Sequence, residues 1–279
     1  MRFSDVLDIR NGRNQRQVEN KNGKYPIYGS GGTMGRADDF ICEAETVVIG
    51  RKGSINNPIF VDEPFWNVDT AFGLVANKDV LLPKYLYYFC VNFDFERLNT
   101  TVTIPSLTKA NLLQIEISIP DMGTQMHIVG VMDKICHLIE LRQQELHELD
   151  QLVKSRFIEL FASVEDEDTL INLCSFIDYR GKTPEKAESG LPFITAKNVK
   201  MHHMSFDTQE FISKETYDKV MTRGFPRIGD VVFTTEAPLG NVCRIPHIET
   251  EFYIGQRIIT MQTEQLEPAY LEYALSLSA

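Results

Sequence analysis

Short apolar runs closed by glycine, proline and asparagine fill both ends of this chain, and a long stretch of helical periodicity separates them. "TVVIG" (46–50), "PIFV" (58–61) and "AFGLVA" (71–76) are rich in β-branched and aromatic side chains and end at turn formers, which predicts strands. "PKYLYYFCVN" (83–92) and "EPAYLEYALSL" (267–277) carry a proline at the start and then space apolar residues helically, as helices with proline in the first turn do. From Gly123 to about Ala162 there is no proline, and Gly130 is the only further glycine. Here Ile128, Met132, Ile135, Ile139, Leu146, Leu149, Val153 and Leu160 form one stripe, with Arg142 and Arg156 at the two seam positions where an apolar residue is expected. Roughly 38 residues at about 1.5 Å each make a rod on the order of 57 Å long. Such a helix exceeds one small domain, so its stripe is expected to pack on another long helix.

The two ends resemble each other. "TVVIGRKGSINNPIFV" (46–61) lies over "DVVFTTEAPLGNVCRI" (230–245), with Val47, Val48 and Asn57 on Val231, Val232 and Asn241. "LPKYLYY" (82–88) lies over "EPAYLEY" (267–273), "LDIR" (7–10) over "IDYR" (177–180), and "YPIY" (25–28) over "LPFI" (191–194). Matches kept in one order predict a duplicated unit. The expected fold class is α+β: two related domains, 1–122 and 164–279, joined by a long coiled-coil helix over 123–163.

A chain of 279 residues, 43% hydrophobic, accommodates two such cores. No stretch reaches the roughly 20 apolar residues of a membrane span, and "MRFSDVLDIRNGR" lacks the apolar centre of a signal peptide, so a soluble cytoplasmic protein is expected. Cys42, Cys90, Cys136, Cys174 and Cys243 are scattered without metal spacing and read as reduced thiols, mostly core filler. The net charge of −11 argues against a protein that coats nucleic acid indiscriminately. The sign is uneven, however. Residues 1–36 hold seven lysines and arginines against three carboxylates, whereas acid concentrates elsewhere, as in "EDED" (165–168). A solvated face is the ordinary fate of such a basic segment unless other features point to DNA.

Candidate catalytic chemistry is thin. "YPIYGSGGTMG" (25–35) carries Gly29, Gly31, Gly32 and Gly35, but the spacing is not G-x-G-x-x-G and no long helix is expected to follow, so a glycine-permitted turn is predicted. "NPIF" (57–60) is one residue away from the N-P-P-F motif of amino-methyltransferases, with Ile59 replacing the second proline. G-x-S-x-G, H-E-x-x-H and a P-loop lysine do not occur. His127, His137 and His147 fall on the long helix, and His202 and His203 form a pair without carboxylate or cysteine spacing, so no metal site is expected.

The ordered set "YPIYGSGGTMGRADDF", "VVIGRKGS", "PKYLYYFC", "IPSLTKANLLQIEISIP", "TQMHIVGVMDKI" and "ELDQLVKSRFIELF", followed by "FIDYRGKTP", resembles the specificity (S) subunit of type I restriction-modification systems over almost the whole chain. Thr124-Gln125 stands where that family commonly has Glu-Gln. The resemblance implies that each α+β unit is a target recognition domain reading half of a split double-stranded DNA target. It implies that long helices space the two units and dock methyltransferase (M) subunits in an assembly with restriction (R) subunits. The chain itself is then not an enzyme and holds no cofactor, AdoMet being expected on the partner methyltransferase subunit. Two other readings stand beside it: an AdoMet-dependent DNA adenine methyltransferase built on the glycine stretch and "NPIF", and a coiled-coil assembly adaptor without DNA recognition.

Under the leading reading, arginine suits guanine and asparagine adenine in the major groove, while lysine and serine suit phosphate. The candidates in the first unit are Arg10, Arg13, Arg16, Lys24, Ser30, Thr33, Arg36, Arg51, Lys52, Ser54, Asn56 and Asn57. In the second they are Arg180, Lys182, Thr183, Lys197, Asn198, Thr234, Thr235, Asn241 and Arg257. The sequence given stops at "YLEYALSLSA", level with about residue 94 of the first unit. Counterparts of "FERLNTTVTIPSLTKANLLQIEISIP" and of a second long helix do not appear, which predicts either self-association through the helix or a truncated, poorly active product.

Overall fold

The strand signals of the first unit fold into one antiparallel sheet with a helix on one face and a smaller sheet on the other. In a computed structural model that describes residues 1–99, 105–164 and 167–277, the chain forms two units, Met1–Glu145 and Leu146–Ala279. Ile104 of the fourth quoted motif and Glu165 and Asp166 of the acidic run lie outside the described residues. In the first unit a short helix α1 (Phe3–Val6) leads into β1 (Leu7–Asn11), followed by β2 (Tyr25–Gly29), β3 (Gly32–Ala37), β4 (Thr46–Gly50), β5 (Ile59–Val61), β6 (Trp66–Asn67) and β7 (Ala71–Ala76). The helices α2 (Pro83–Asn92), α3 (Lys109–Leu113) and α4 (Met122–Phe161) complete it, the last running on into the second unit.

The larger sheet has the order β1-β7-β4-β5, and the smaller one the order β3-β2-β6 with β2 and β6 parallel. Alternation along the strands decides the two layers. Ile9, Val47 and Leu74 point into a core with Leu86 of α2, whereas Val48, Ala71 and Val61 point the other way with Cys42 and Phe65. The glycine-rich stretch is the β2–β3 hairpin: Gly29 lies opposite Gly32 across the two-residue turn Ser30–Gly31, and Gly32 has a φ of +113° that favours glycine. A loop and then β4 follow β3.

The second unit repeats this topology. After α5 (Leu170–Leu173) come β8 (Ser175–Asp178), β9 (Leu191–Ile194), β10 (Val199–Lys200), β11 (His203–Met204), β12 (Phe211–Ile212) and α6 (Lys214–Val220). Then follow β13 (Val231–Thr234), β14 (Val242–Arg244), β15 (Tyr253–Ile254), β16 (Ile258–Gln262) and α7 (Pro268–Leu277). The large sheet is β8-β16-β13-β14 and the small one β12-β9-β15, with β9 and β15 parallel: the same order and the same directions as in the first unit. Val231 takes the place of Val47, facing α7 with Met261 and Leu271, and Val232 takes that of Val48.

One of the sequence matches is corrected by this register. "LDIR" does not lie on "IDYR". Ile9 lies opposite Leu74, which lies opposite Val47, and the corresponding ladder in the second unit is Phe176, Met261, Val231. The structural counterpart of Leu7–Arg10 is therefore 174–177, three residues earlier, and α1 and α5 keep the same shift. An odd shift exchanges the two faces of a strand. Accordingly Ile9 packs against α2, whereas Tyr179 packs in the core of the smaller sheet with Phe193 and Tyr253.

The long helix has 40 residues, about 60 Å at 1.5 Å per residue. Its two ends are engaged. In the first unit the Tyr88 hydroxyl donates to Asp133 Oδ1 (2.6 Å), Lys84 pairs with Asp133 (2.9 Å), and buried Gln125 accepts from the Leu82 amide (2.9 Å). In the second, Phe157 and Phe161 pack on Tyr270 with ring centroids 5.5 and 4.9 Å apart. Within the expected stripe, Ile128 and Met132 are half-buried beside α2, whereas Ile135, Ile139, Leu146, Leu149, Val153 and Leu160 are exposed. The aromatic pair that docks the far end was not part of the predicted stripe.

Candidate nucleic-acid interface

In each unit three loops that are distant in sequence meet at one end of the sheets. In the first they are the β2–β3 turn, the β4–β5 loop and the turn between β6 and β7. Backbone bonds tie them together: the Val68 amide donates to the Tyr28 carbonyl (2.9 Å), the Ala71 amide to Val68 (3.0 Å), and the Arg51 amide to Thr70 (2.7 Å). Gly50 makes the approach feasible, because a Cβ there would sit 2.2 Å from the Ser54 carbonyl oxygen and 3.0 Å from Ser30 Cβ. In the second unit the Gly255 amide donates to Ile194 (2.8 Å), the Ile258 amide to Gly255 (3.2 Å), and the Thr235 amide to Arg257 (3.0 Å). These are the same three bonds at equivalent positions.

Around these loops the structure gathers part of the candidate set. In the first unit Ser30 sits at the hairpin tip beside the loop that carries exposed Arg51, Lys52 and Ser54, and Arg51 lies over the Phe72 ring, 5.8 Å from its centroid. Thr33 is exposed on the same hairpin. Arg13 and Arg16 rim a separate cavity of about 440 Å³ with Asn14, Gln17 and Trp66, whose indole donates to the Arg13 carbonyl (3.0 Å). In the second unit Lys182, Thr183, Lys197 and Arg257 line one cleft of about 290 Å³, joined by Lys186, Thr195 and Gln256. Glu210 neutralises Lys186 (2.8 Å) and Glu236 pairs with Arg257 (3.0 Å), while Lys182 donates to Thr222 Oγ1 (2.7 Å). Lys197 is exposed and makes no ion pair among the described residues.

Other candidates serve the fold. Arg36 donates to the Gly23 and Lys24 carbonyls, both at 2.6 Å, and Lys24 lies over the Tyr25 ring. Asn56 accepts from the Phe95 amide (2.7 Å) and donates to Asp94 (3.3 Å), leaving neighbouring Asn57 exposed. Arg10 pairs with Asp8 (3.2 Å). Arg180 binds Asp178 at 2.6 Å; burial works against that carboxylate's charge, yet the Arg180 side-chain and backbone bonds and the Arg180 and Arg223 charges hold its pKa below the usual value.

Two candidates are corrected outright. Asn198 is buried, accepting from the Thr195 amide and hydroxyl (2.9 Å each) and donating to the Ser205 and Thr208 carbonyls (3.0 and 2.7 Å), so its amide is fully used in shaping the loop. Thr234 is fully buried and its hydroxyl accepts from the Asn241 amide (2.9 Å). Asn241 in turn donates to the Val199 carbonyl (2.9 Å), and Thr235 is half-buried beside it.

Sequence reasoning also missed residues. Asp69 and Gln256 occupy the same place in the two β-turns, and Lys186 and Thr195 complete the cleft. Their signal would have been the repeat carried through "WNVDTAFG" and "YIGQRIIT", where few identities survive. His202, which has no carboxylate at metal spacing in the sequence, bonds distant Glu272 through Nδ1 (3.0 Å) and stacks on Tyr273. Among the described residues no group of three or more His, Cys, Asp or Glu side chains is arranged to hold a metal ion, and no helix is long and apolar enough to cross a membrane.

The fold and its loops define a class: a tandemly duplicated α+β protein whose units each present a cationic three-loop site and are linked through one long helix. Residues 1–151 match the sequence model of the type I restriction modification DNA specificity domain, more than half of the chain, and the protein belongs to that family. A protein of Mycoplasma pneumoniae named as a type I specificity subunit is 26% identical over 161 residues, which cover 51% of this chain and 53% of that one. A Haemophilus influenzae protein named as a type I restriction enzyme specificity subunit is 28% identical over 120 residues, covering 42% and 31%. This chain thus matches about half the length of the first curated relative and about a third of the second. The fold is that of the type I S subunit crystal structure from M. genitalium, with a TM-score of 0.58 at 18% identity over 99% of this chain and 76% of that one. A chain from a structural study of type I assembly and conformational transition gives 0.56 at 16% identity over 100% and 78%.

Proposed function

We propose that this chain is the DNA-reading, non-catalytic subunit of a type I restriction-modification assembly, each unit recognising one half of a split duplex target. The observation that carries the proposal is the recurrence of one hydrogen-bonded loop frame in both units, each time surrounded by exposed cations, on a chain whose net charge is −11. Local cation clusters on an acidic protein favour a confined docking site over indiscriminate coating. Phosphate contacts from Arg13, Arg16, Lys52, Lys182 and Lys197 position each unit, and side chains on the turns read base edges. Methylation and cleavage fall to M and R partner subunits, with AdoMet held by the methyltransferase. The exposed stretch of α4, Ile139 to Val153, is the surface for a further long helix, from a partner or from a second copy.

The test is methylation mapping by long-read sequencing in a methylation-free host that expresses this chain with its cognate methyltransferase subunit. A split motif is expected. Unequal halves mean that both units read, and mirrored halves mean that a self-paired helix presents one unit twice. Soluble subunits that associate and yet methylate no defined motif overturn the proposal.

A further inference from the structure

The two units keep one backbone frame and change one side chain at its tip. Val68–Asp69–Thr70 in the first unit and Gly255–Gln256–Arg257 in the second are held by the same three main-chain bonds, to β2 or β9 on one side and to the residue after β4 or β13 on the other. The middle residue is exposed Asp69 in one and half-exposed Gln256 in the other, and neither side chain has a hydrogen-bond partner among the described residues. A side chain on a turn fixed at three points, without an internal partner, is held ready for an external one.

The surroundings suit an anionic polymer. Gln256 shares its cleft with Lys182, Lys197 and Arg257. Asp69 would be repelled by phosphates if it stood alone, but the amides of Arg51 and Lys52 both bond the Thr70 carbonyl (2.7 and 3.3 Å), which sets two exposed cations next to it. A carboxylate among cations at a DNA surface has one favourable task on a base edge: accepting from an exocyclic amine. Aspartate accepts from the cytosine N4 amine, and glutamine exchanges two hydrogen bonds with adenine N6 and N7.

Resting on the DNA-reading function proposed above, we infer that Asp69 and Gln256 are paired specificity-determining residues, Asp69 selecting cytosine in one half-site and Gln256 selecting adenine in the other. Their common frame makes them one position used twice, so the two half-sites differ partly because these two residues differ.

The test uses the full chain with its cognate methyltransferase subunit and the same methylation mapping, comparing the wild type with Asp69→Asn, Gln256→Glu, Asp69→Ala and Gln256→Ala. The near-isosteric exchanges are expected to re-specify one base each, Asp69→Asn moving one position of one half-site from cytosine to adenine and Gln256→Glu making the reverse change in the other half. The alanine variants are expected to relax those same positions, with preference falling by roughly 5- to 150-fold, while every other motif position stays as it was. A wild-type split motif left unaltered by all four substitutions overturns this inference alone. Loss of the whole motif in both variants at either position, with the chain still bound to its partner, assigns that residue to positioning and likewise overturns the inference. A wild-type chain that directs no motif overturns the DNA-reading function, and the inference falls with it.

Discussion

Glu272 on α7 is a buried carboxylate held by an arginine and a histidine, and its removal is expected to weaken the second unit selectively. Its side chain is 3% exposed and accepts from Arg244 Nε (2.7 Å) and His202 Nδ1 (3.0 Å). Breaking a fully buried pair by deleting one partner costs about 3–5 kcal/mol. Arg244 and His202 are 47% and 32% exposed and can rehydrate, so the expected cost of Glu272→Ala is lower, about 2–3 kcal/mol. The equivalent place in the first unit is aromatic: Phe60 on β5 and Tyr87 on α2 lie 5.8 Å apart where Arg244 and Glu272 stand in the second. Replacing an ion pair by well-packed apolar groups is often neutral or better, so the double change Arg244→Phe with Glu272→Tyr is expected to cost less than Glu272→Ala alone. Peptide-resolved hydrogen exchange reads the effect, with protection of α7, β14 and the β10–β11 hairpin falling roughly 30- to 150-fold in Glu272→Ala. Trp66, the only tryptophan, lies in the first unit, and its fluorescence transition in denaturant is expected to stay in place. A loss below about 1 kcal/mol, an equal shift of the Trp66 transition, or a double variant as unstable as Glu272→Ala would refute the reasoning.

Two further outcomes follow from the first unit. Gly50→Ala drives a methyl group into the Ser54 carbonyl and Ser30, so it should cost about 1–3 kcal/mol by the Trp66 transition and lower duplex affinity, whereas Gly31→Ala, with open space around it, should change stability by less than about 0.5 kcal/mol. The Tyr88 hydrogen bond, and secondarily the Lys84 bond and charge, hold the Asp133 pKa below its ordinary 3.8 despite partial burial. A depressed carboxylate contributes stability that is present above 3.8 and lost as pH falls through the lower folded value, so Tyr88→Phe should raise that folded value and shrink the contribution. Carboxyl NMR titration of Asp133 in both proteins checks the direction; an unmoved or lower midpoint in Tyr88→Phe would contradict it.

Much of the fold was legible in local pattern. The proline-opened runs at 83–92 and 268–277 are helices, and two of the matches, Val47 on Val231 and Pro83 on Pro268, keep their register in the sheets and helices. The glycine stretch was legible as a turn because nothing helical followed it. The candidate site was legible only in part. Charge and polarity pointed to the Arg51–Ser54 loop and to Lys182, Lys197 and Arg257, but the same reasoning admitted Asn198 and Thr234, whose polar atoms are taken up inside the protein. Residue type states what a side chain can bond to and is silent on whether a neighbour already does so.

The sequence by itself determined the strands within 46–50, 58–61 and 71–76, the long helix and the duplication, because burial alternates every second residue in strands and every third or fourth in helices. It did not determine which copy of a short motif pairs with which: "LDIR" and "IDYR" look alike, yet the ladders through Leu74 and Met261 set them three residues apart and on opposite faces. Nor did it place Asp69 and Gln256. Three loops converge on each of them through the order of strands in two sheets, and strand order rests on contacts between residues far apart in the chain. Local periodicity carries no record of those contacts, so only the tertiary structure could bring Asp69 and Gln256 and the neighbouring cations to one place.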